Sequence, residues 1–260
     1  MDPVVFLLEN FEGFMALLLR LTGLFILGPV FSNEVIPNRI KGMFVLLVAA
    51  LSFPTLAASG VLPATSSFAG LAVLGAGEIF IGFTIGFMML IVLTIFRISG
   101  QFYSIQMGFG IINVFDPMAE SSVPIISQLK ALLMSVVFLI IGGHRFLLEA
   151  VFKSYEFVPS IYSLDPRPIA RVVATQFDKM FEVGFVIAIP LIGIVFLMTM
   201  SLGLLSKLAP QMNVMILGFG LKVMVGLLTF ISLLPAFMFA AQQLFDEIFH
   251  DVYVLMEAMG

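Results

Sequence analysis

Six apolar runs, at positions 14–31, 43–58, 68–96, 125–141, 181–200 and 214–241, dominate this chain. Each approaches or exceeds the roughly 20 apolar residues that a membrane-crossing helix needs. Only 11% of the residues are charged, less than half the share of about 25% found in soluble domains. The chain therefore reads as an all-α membrane protein. Every run also holds a glycine, a proline or a charge, so six is a number of candidates and not of spans.

One stretch breaks the pattern. Positions 100–124, GQFYSIQMGFGIINVFDPMAESSVP, lie between two apolar runs. They are too rich in Phe, Met and Ile for a hydrated loop. Gly108, Gly110, Pro117 and Pro124 oppose a continuous helix. Irregular backbone at membrane depth is tolerated only inside protein or beside a water-filled cavity. The stretch thus reads as the gate or lining of a pathway.

Along the chain, 7–31 reads as a helix ending near Pro29. It carries Gly13, Ala16, Arg20 and Gly23 on one face. A turn with Pro37 and Arg39 follows, and the next run is expected to break at Pro54. The clearest helix is 68–96, ended by Arg97. Its Glu78, Gly82 and Gly86 fall at four-residue steps, so the carboxylate shares a face with a G-x-x-x-G surface. After Gly142 and Gly143 comes a partly amphipathic helix with a Glu149–Lys153 pair. Asp165-Pro166-Arg167-Pro168 is a turn and helix start, and it divides the chain into 1–165 and 166–260. Glu182 and Pro190 lie in the next run, and positions 208–213 form a second turn. Gly218, Lys222 and Gly226 share a face of the last long run, where Pro235 is a candidate kink. The tail, 242–259, sets Phe245, Ile248, Phe249 and Val252 against Asp246, Glu247, His250 and Asp251.

Charges inside apolar helices are expensive and face protein or water. Arg20, Glu78, Glu182 and Lys222 have two readings. They pair between helices and specify packing, or they line a proton or ion path; small-residue faces beside them favour packing. The 17 methionines serve adaptable packing, or a deformable seal where Met107 and Met118 lie in the irregular stretch. Ser127-Gln-Leu-Lys130 matches S-x-x-K without its partner motifs and reads as coincidence. His144 reads as an interfacial anchor and His250 as part of a solvated face. No metal or cofactor site is expected, and the absence of cysteine removes thiolate chemistry. H-E-x-x-H, G-x-S-x-G and the phosphate-binding G-x-x-x-x-G-K-[ST] do not occur. No basic run suits nucleic acid. Asp2, Glu9 and Glu12 stand where a secretory signal would be basic. Basic residues do not segregate to alternate loops, so some segments are expected not to span conventionally. A secondary transporter of a small solute or ion is the alternative class, since broken helices and midplane charges suit it. An intramembrane enzyme is a third and would need Ser127 and Lys130 to converge.

The order and spacing of several motifs resemble the FliR family of type III export-gate proteins, found in flagella and in virulence-associated injectisomes. They are Arg20-Leu-Thr-Gly23 with Pro29, Pro37-Asn-Arg39, Glu78 with Gly82 and Gly86, and Gly100-Gln101. Next come Gln106-Met-Gly-Phe-Gly110, Phe115-Asp-Pro117, Gly143-His-Arg145, Ser154-Tyr155, Ala209-Pro-Gln-Met-Asn213 and Leu221-Lys222. Gly220 stands where the family often has proline. The resemblance implies a non-enzymatic subunit in the bacterial inner membrane, within the flagellar basal body and with part raised into the periplasm. Its partners would be FliP, FliQ and FlhB, with FlhA nearby, membrane lipid and unfolded protein substrates. The implied fold is one of kinked helical hairpins assembling as a spiral, with a FliP-like half (1–165) and a FliQ-like half (166–260). By position, 106–124 corresponds to a pore plug: Gln106, Met107, Gly108, Phe109, Gly110, Phe115, Asp116, Pro117, Met118 and Glu120. Pro210, Gln211 and Asn213 correspond to a turn at the cytoplasmic entrance.

Overall fold

A computed structural model of the chain describes residues 10–32, 36–60, 68–109, 125–159, 166–211 and 214–259. Among them are seven helices and no strand: α1 (Phe11–Leu27), α2 (Asn38–Ser59), α3 (Phe68–Met107), α4 (Ile125–Ile140), α5 (Gly143–Phe157), α6 (Pro166–Leu208) and α7 (Val214–Met259). Four of these, α2, α3, α6 and α7, contain stretches long and apolar enough to cross a membrane, or five if the bent pair α4–α5 counts as one span. The sequence offers six candidates. The difference lies partly in α1, whose 17 residues fall short of a span and whose face holds a buried arginine.

Helix ends follow local chemistry. Gly28 accepts the end of α1, its N–H bonding Leu24 O at 2.6 Å, and Pro29 follows. Gly60 closes α2 in the left-handed conformation at φ +70°, which costs glycine nothing. Pro166 opens α6 at the position where a missing N–H is harmless.

Three expectations change. The run after Pro37 does not break at Pro54; α2 passes through it, and the exposed ring disturbs one amide without ending the helix. Arg97 does not end α3 either. The helix runs on through Gly100 to Met107, 40 residues in all. Gly100 is a contact glycine, because a Cβ there would stand 2.6 Å from Ser127 Cα. The true terminator is Gly108, at φ +97°, with its N–H on Ile105 O at 3.0 Å. Finally, the run from 214 and the amphipathic tail form one helix, α7, through Pro235.

The chain divides into two compact units, each interleaved in sequence. The first comprises Met1–Ile91, Phe138–Gln176 and Phe245–Gly260; the second comprises Val92–Val137 and Phe177–Leu244. Compactness is a different criterion from the 165/166 division, which rests on the turn signal at 165–168 and on the resemblance.

In the first unit, α1 and α3 approach at backbone distance. A Cβ on Gly82 would collide with the Arg20 carbonyl, one on Gly23 with the Ile79 carbonyl, and one on Gly86 would come within 2.9 Å of Leu24 O. These glycines convert the G-x-x-x-G pattern into direct helix contact. The tail of α7 buries Phe245, Ile248 and Val252 and leaves Asp246, Glu247 and His250 exposed. Asp251 accepts a 2.6 Å bond from Gln176 Nε2. Exposed Glu149 and Lys153 pair at 2.8 Å, an interaction worth little in water.

In the second unit, Gly184 on α6 lies against α3, where an added Cβ would meet Ile95 O at 3.2 Å. Gly226 on α7 faces the end of α3, where a Cβ would meet Met107 Cε and Tyr103 Oη, both at 2.7 Å. Phe102 and Phe185 meet edge to face with centroids 5.6 Å apart.

Gly82→Ala should force α1 off α3 and destabilise the protein by about 1–3 kcal/mol, the usual cost of overpacking. Gly193→Ala, whose Cβ would meet nothing within 4 Å, should stabilise by up to about 1 kcal/mol through helix propensity. Thermal unfolding in detergent distinguishes the two.

Candidate functional site

Arg20 sits in the middle of α1 on its small-residue face and is wholly buried. Nothing in a hydrocarbon-like interior offsets an unpaired guanidinium, so the fold supplies acceptors from two other helices. Arg20 Nε donates to Glu78 Oε2 at 2.6 Å and Nη2 to Glu78 Oε1 at 3.1 Å, a two-pronged ion pair. Nη1 donates to Ser154 Oγ at 2.7 Å and Nη2 also to Val158 O at 3.1 Å. Tyr155 lays its ring under the guanidinium, 3.6 Å from the centroid, and its hydroxyl donates to Glu78 Oε2 at 3.0 Å.

The arrangement also explains the end of α5. That helix has no basic residue in its last turn, where a cation would favourably meet the negative end of its dipole. Arg20 supplies that charge from α1 and bonds the carbonyl of Val158, the residue capping α5. Four of the five guanidinium N–H donors are therefore engaged. Among the described residues no group of metal-ligating side chains accompanies them, and the Ser154 and Tyr155 hydroxyls are themselves engaged in the network. The chemistry is that of a lock between α1, α3 and α5.

Sequence reasoning singled out Arg20 and Glu78 and missed Ser154, Tyr155 and Val158 as their partners. The available signal was arithmetical: one carboxylate has too few acceptor positions for a buried guanidinium. The other two charges lie elsewhere. Glu182 is exposed on α6 and Lys222 half-buried on α7, and neither forms an ion pair with a described residue.

Of the segment 106–124, only its start is described. Gln106 is half-buried, Met107 is fully buried at the end of α3, Gly108 turns the chain, and Phe109 meets Phe219 edge to face at 6.3 Å. Gly110, Phe115, Asp116, Pro117, Met118 and Glu120 lie outside the described residues, as does Asn213. Pro210 and Gln211 are exposed where α6 ends.

Ser127 and Lys130 are tied to different atoms of α3. Ser127 Oγ donates to Arg97 O at 2.8 Å, and Lys130 Nζ donates to Ser99 Oγ at 2.7 Å while standing 4.3 Å from the Phe237 ring centroid. Nothing in this geometry makes the lysine a base for the serine. Lys130 instead joins α3, α4 and α7 of the second unit. The sequence placed it in the apolar run 125–141, which forms the 16-residue α4, but gave no hint of its partners.

Residues 11–248 match the bacterial export proteins, family 1. The chain is 28% identical over 237 residues to flagellar biosynthetic protein FliR of Escherichia coli (strain K12), covering 90% of this chain and 88% of that protein. It is 23% identical over 257 residues to flagellar biosynthetic protein FliR of Bacillus subtilis (strain 168), covering 98% of each. The protein of the same name from Aquifex aeolicus (strain VF5) is 26% identical over 226 residues, 85% of this chain and 84% of that one.

Removing one partner of the ion pair strands the other. Arg20→Met or Glu78→Leu alone should each destabilise the protein by about 3–5 kcal/mol, and the double variant should recover most of that loss. Arg20→Lys should not rescue, because an ammonium lacks the planar fork. Thermal unfolding of the four detergent-solubilised variants reads the cycle; additive losses in the double variant would refute the lock.

Proposed function

This chain belongs to the bacterial export proteins, family 1, and from that premise we propose that it is a core subunit of the flagellar type III export gate. In this reading it helps form and gate a channel that carries unfolded proteins across the bacterial inner membrane. The observation that carries the reading is the family match across 11–248 together with flagellar relatives aligned over nearly their whole length.

The physical character of the chain agrees. Helices α3, α6 and α7, at 40, 43 and 46 residues, are roughly 60–70 Å long, about twice the hydrocarbon thickness. Only 22% of the most apolar window of α6 and 17% of that of α7 are buried within the chain. Surface of that kind needs lipid or other subunits to cover it. We assign the subunits as FliP, FliQ and FlhB, with FlhA nearby, the N-terminal part of the chain being FliP-like and the C-terminal part FliQ-like. The assembly is a spiral of helical hairpins with part standing on the periplasmic side.

The segment 106–124 acts as the plug. Met107, Phe109, Phe115 and Met118 give it an apolar, deformable surface, and hydrophobic constrictions close channels to water and ions. Pro210, Gln211 and Asn213 mark the cytoplasmic entrance. The chain works without catalysis, and the driving energy comes from elsewhere in the apparatus.

Deleting residues 110–123 should leave the complex assembled and make it leak ions. Conductance of membranes expressing the deletion, set beside co-purification of FliP and FliQ, measures both; unchanged conductance with normal assembly would refute the plug assignment. Ser127→Ala combined with Lys130→Met should leave motility unchanged, since no serine chemistry is used. Loss of motility in a complex that assembles normally would restore the enzymatic alternative.

A further inference from the structure

Between α1 and α2 of the first unit lies a groove of roughly 470 Å³, a size typical of small-ligand sites (~300–1,000 Å³). Its walls repeat at helical spacing: Leu18, Phe25 and Ile26 on α1, and Val45 and Leu46 on α2. The trough is therefore elongated along both helices and mainly apolar. At one end stand Asn38 and Lys41.

Two features of this groove lack an explanation within the chain. Lys41 is half-buried, yet it has no ion-pair partner among the described residues. The first turn of α2 carries no acidic residue, and exposed Arg39 adds a second cation there. Positive side chains at that end of a helix oppose its dipole, so the mouth of the groove favours an anion. Gly42 is the second feature. Unlike Gly23, Gly82 and Gly86, it makes no close helix contact, and a Cβ there would meet nothing within 4 Å. A glycine inside a helix costs about 1 kcal/mol against alanine, and Gly42 lines the groove, where its missing side chain leaves open space.

We infer that this groove seats one anionic phospholipid, with an acyl chain along Phe25, Val45 and Leu46 and its phosphate at Lys41 and Asn38. An apolar trough with a single cationic end has the amphipathic division of such a lipid. The shared surface of α1 and α2 thereby gains a filler that side chains do not provide. The inference rests on the membrane location of the chain and not on the plug.

The test uses the assembled complex in nanodiscs of phosphatidylethanolamine with a minority of phosphatidylglycerol. A photo-crosslinking residue replaces Leu46, and adducts are identified by mass spectrometry. A phospholipid adduct enriched in phosphatidylglycerol is expected. Lys41→Gln should reduce that enrichment about fivefold, the weight of one lysine near an anionic lipid surface. Gly42→Leu, which fills open space, should abolish the adduct while leaving the complex intact. Adducts to protein alone would overturn the inference and identify a neighbouring helix as the occupant. Labelling of phosphatidylglycerol and phosphatidylethanolamine in proportion to their content in the nanodisc would overturn it too, as would an adduct that survives Gly42→Leu. Motility measured on the same strains separates the two readings: normal motility without a lipid adduct rejects the lipid seat and keeps the export function.

Discussion

A buried arginine in a membrane protein leaves the fold few choices. Once Arg20 faces the interior, its N–H groups must find acceptors there, because neither lipid nor bulk water provides them. Glu78 supplies the opposite charge, but two oxygens on one side of a planar fork leave the far donors unmet. Ser154 and the Val158 carbonyl meet them, and Tyr155 both stacks on the cation and bonds the anion. Three helices are held in register by this one group. The contact also depends on what is missing nearby, since Gly23 and Gly82 let the α1 and α3 backbones touch. Without that closeness the ion pair would have to reach across a wider gap.

Much of the architecture was legible because apolar runs and helix-ending residues are local signals. The α1 end at Gly28, the α6 start at Pro166, the amphipathic tail and the Glu149–Lys153 pair all follow from neighbouring residues. Glycine and proline in mid-run were less readable. Gly100 and Gly108 are eight residues apart and look alike in sequence. One is a packing surface pressed on Ser127, and the other ends α3 with a positive φ. The distinction depends on whether a second helix lies alongside, which local sequence does not encode. Pro54 misled for a related reason: the loss of one amide bond is tolerated in a helix that continues for only five more residues.

The candidate site divides in the same way. Arg20 and Glu78 announce themselves as charges on apolar faces. Their neutral partners are ordinary residues on an amphipathic helix, and only the third dimension brings Ser154 and Tyr155 beneath the guanidinium. Lys130 stands between these cases. Its motif invited a catalytic reading, whereas its surroundings, a serine hydroxyl and an aromatic face, are those of a cation accommodated without a counter-charge.

These two buried cations show different ways of placing charge in an apolar protein, and the difference bears on how each unit tolerates change. Around Arg20 the donors are matched by a carboxylate, a hydroxyl and a carbonyl in fixed geometry, so displacing any one of α1, α3 and α5 breaks several bonds together. Such an arrangement is cooperative and rigid. Lys130 has one hydroxyl and a ring face, both of which accept a flexible ammonium over a range of positions. Helices joined by that weaker tether can shift by small amounts without stranding a charge. The first unit is thus built to hold one arrangement. The second unit, which includes the end of α3, holds its buried cation by the looser of the two arrangements. Displacing α1, α3 or α5 therefore strands a charge, whereas shifting α4 against α3 costs Lys130 one bond to a neutral hydroxyl.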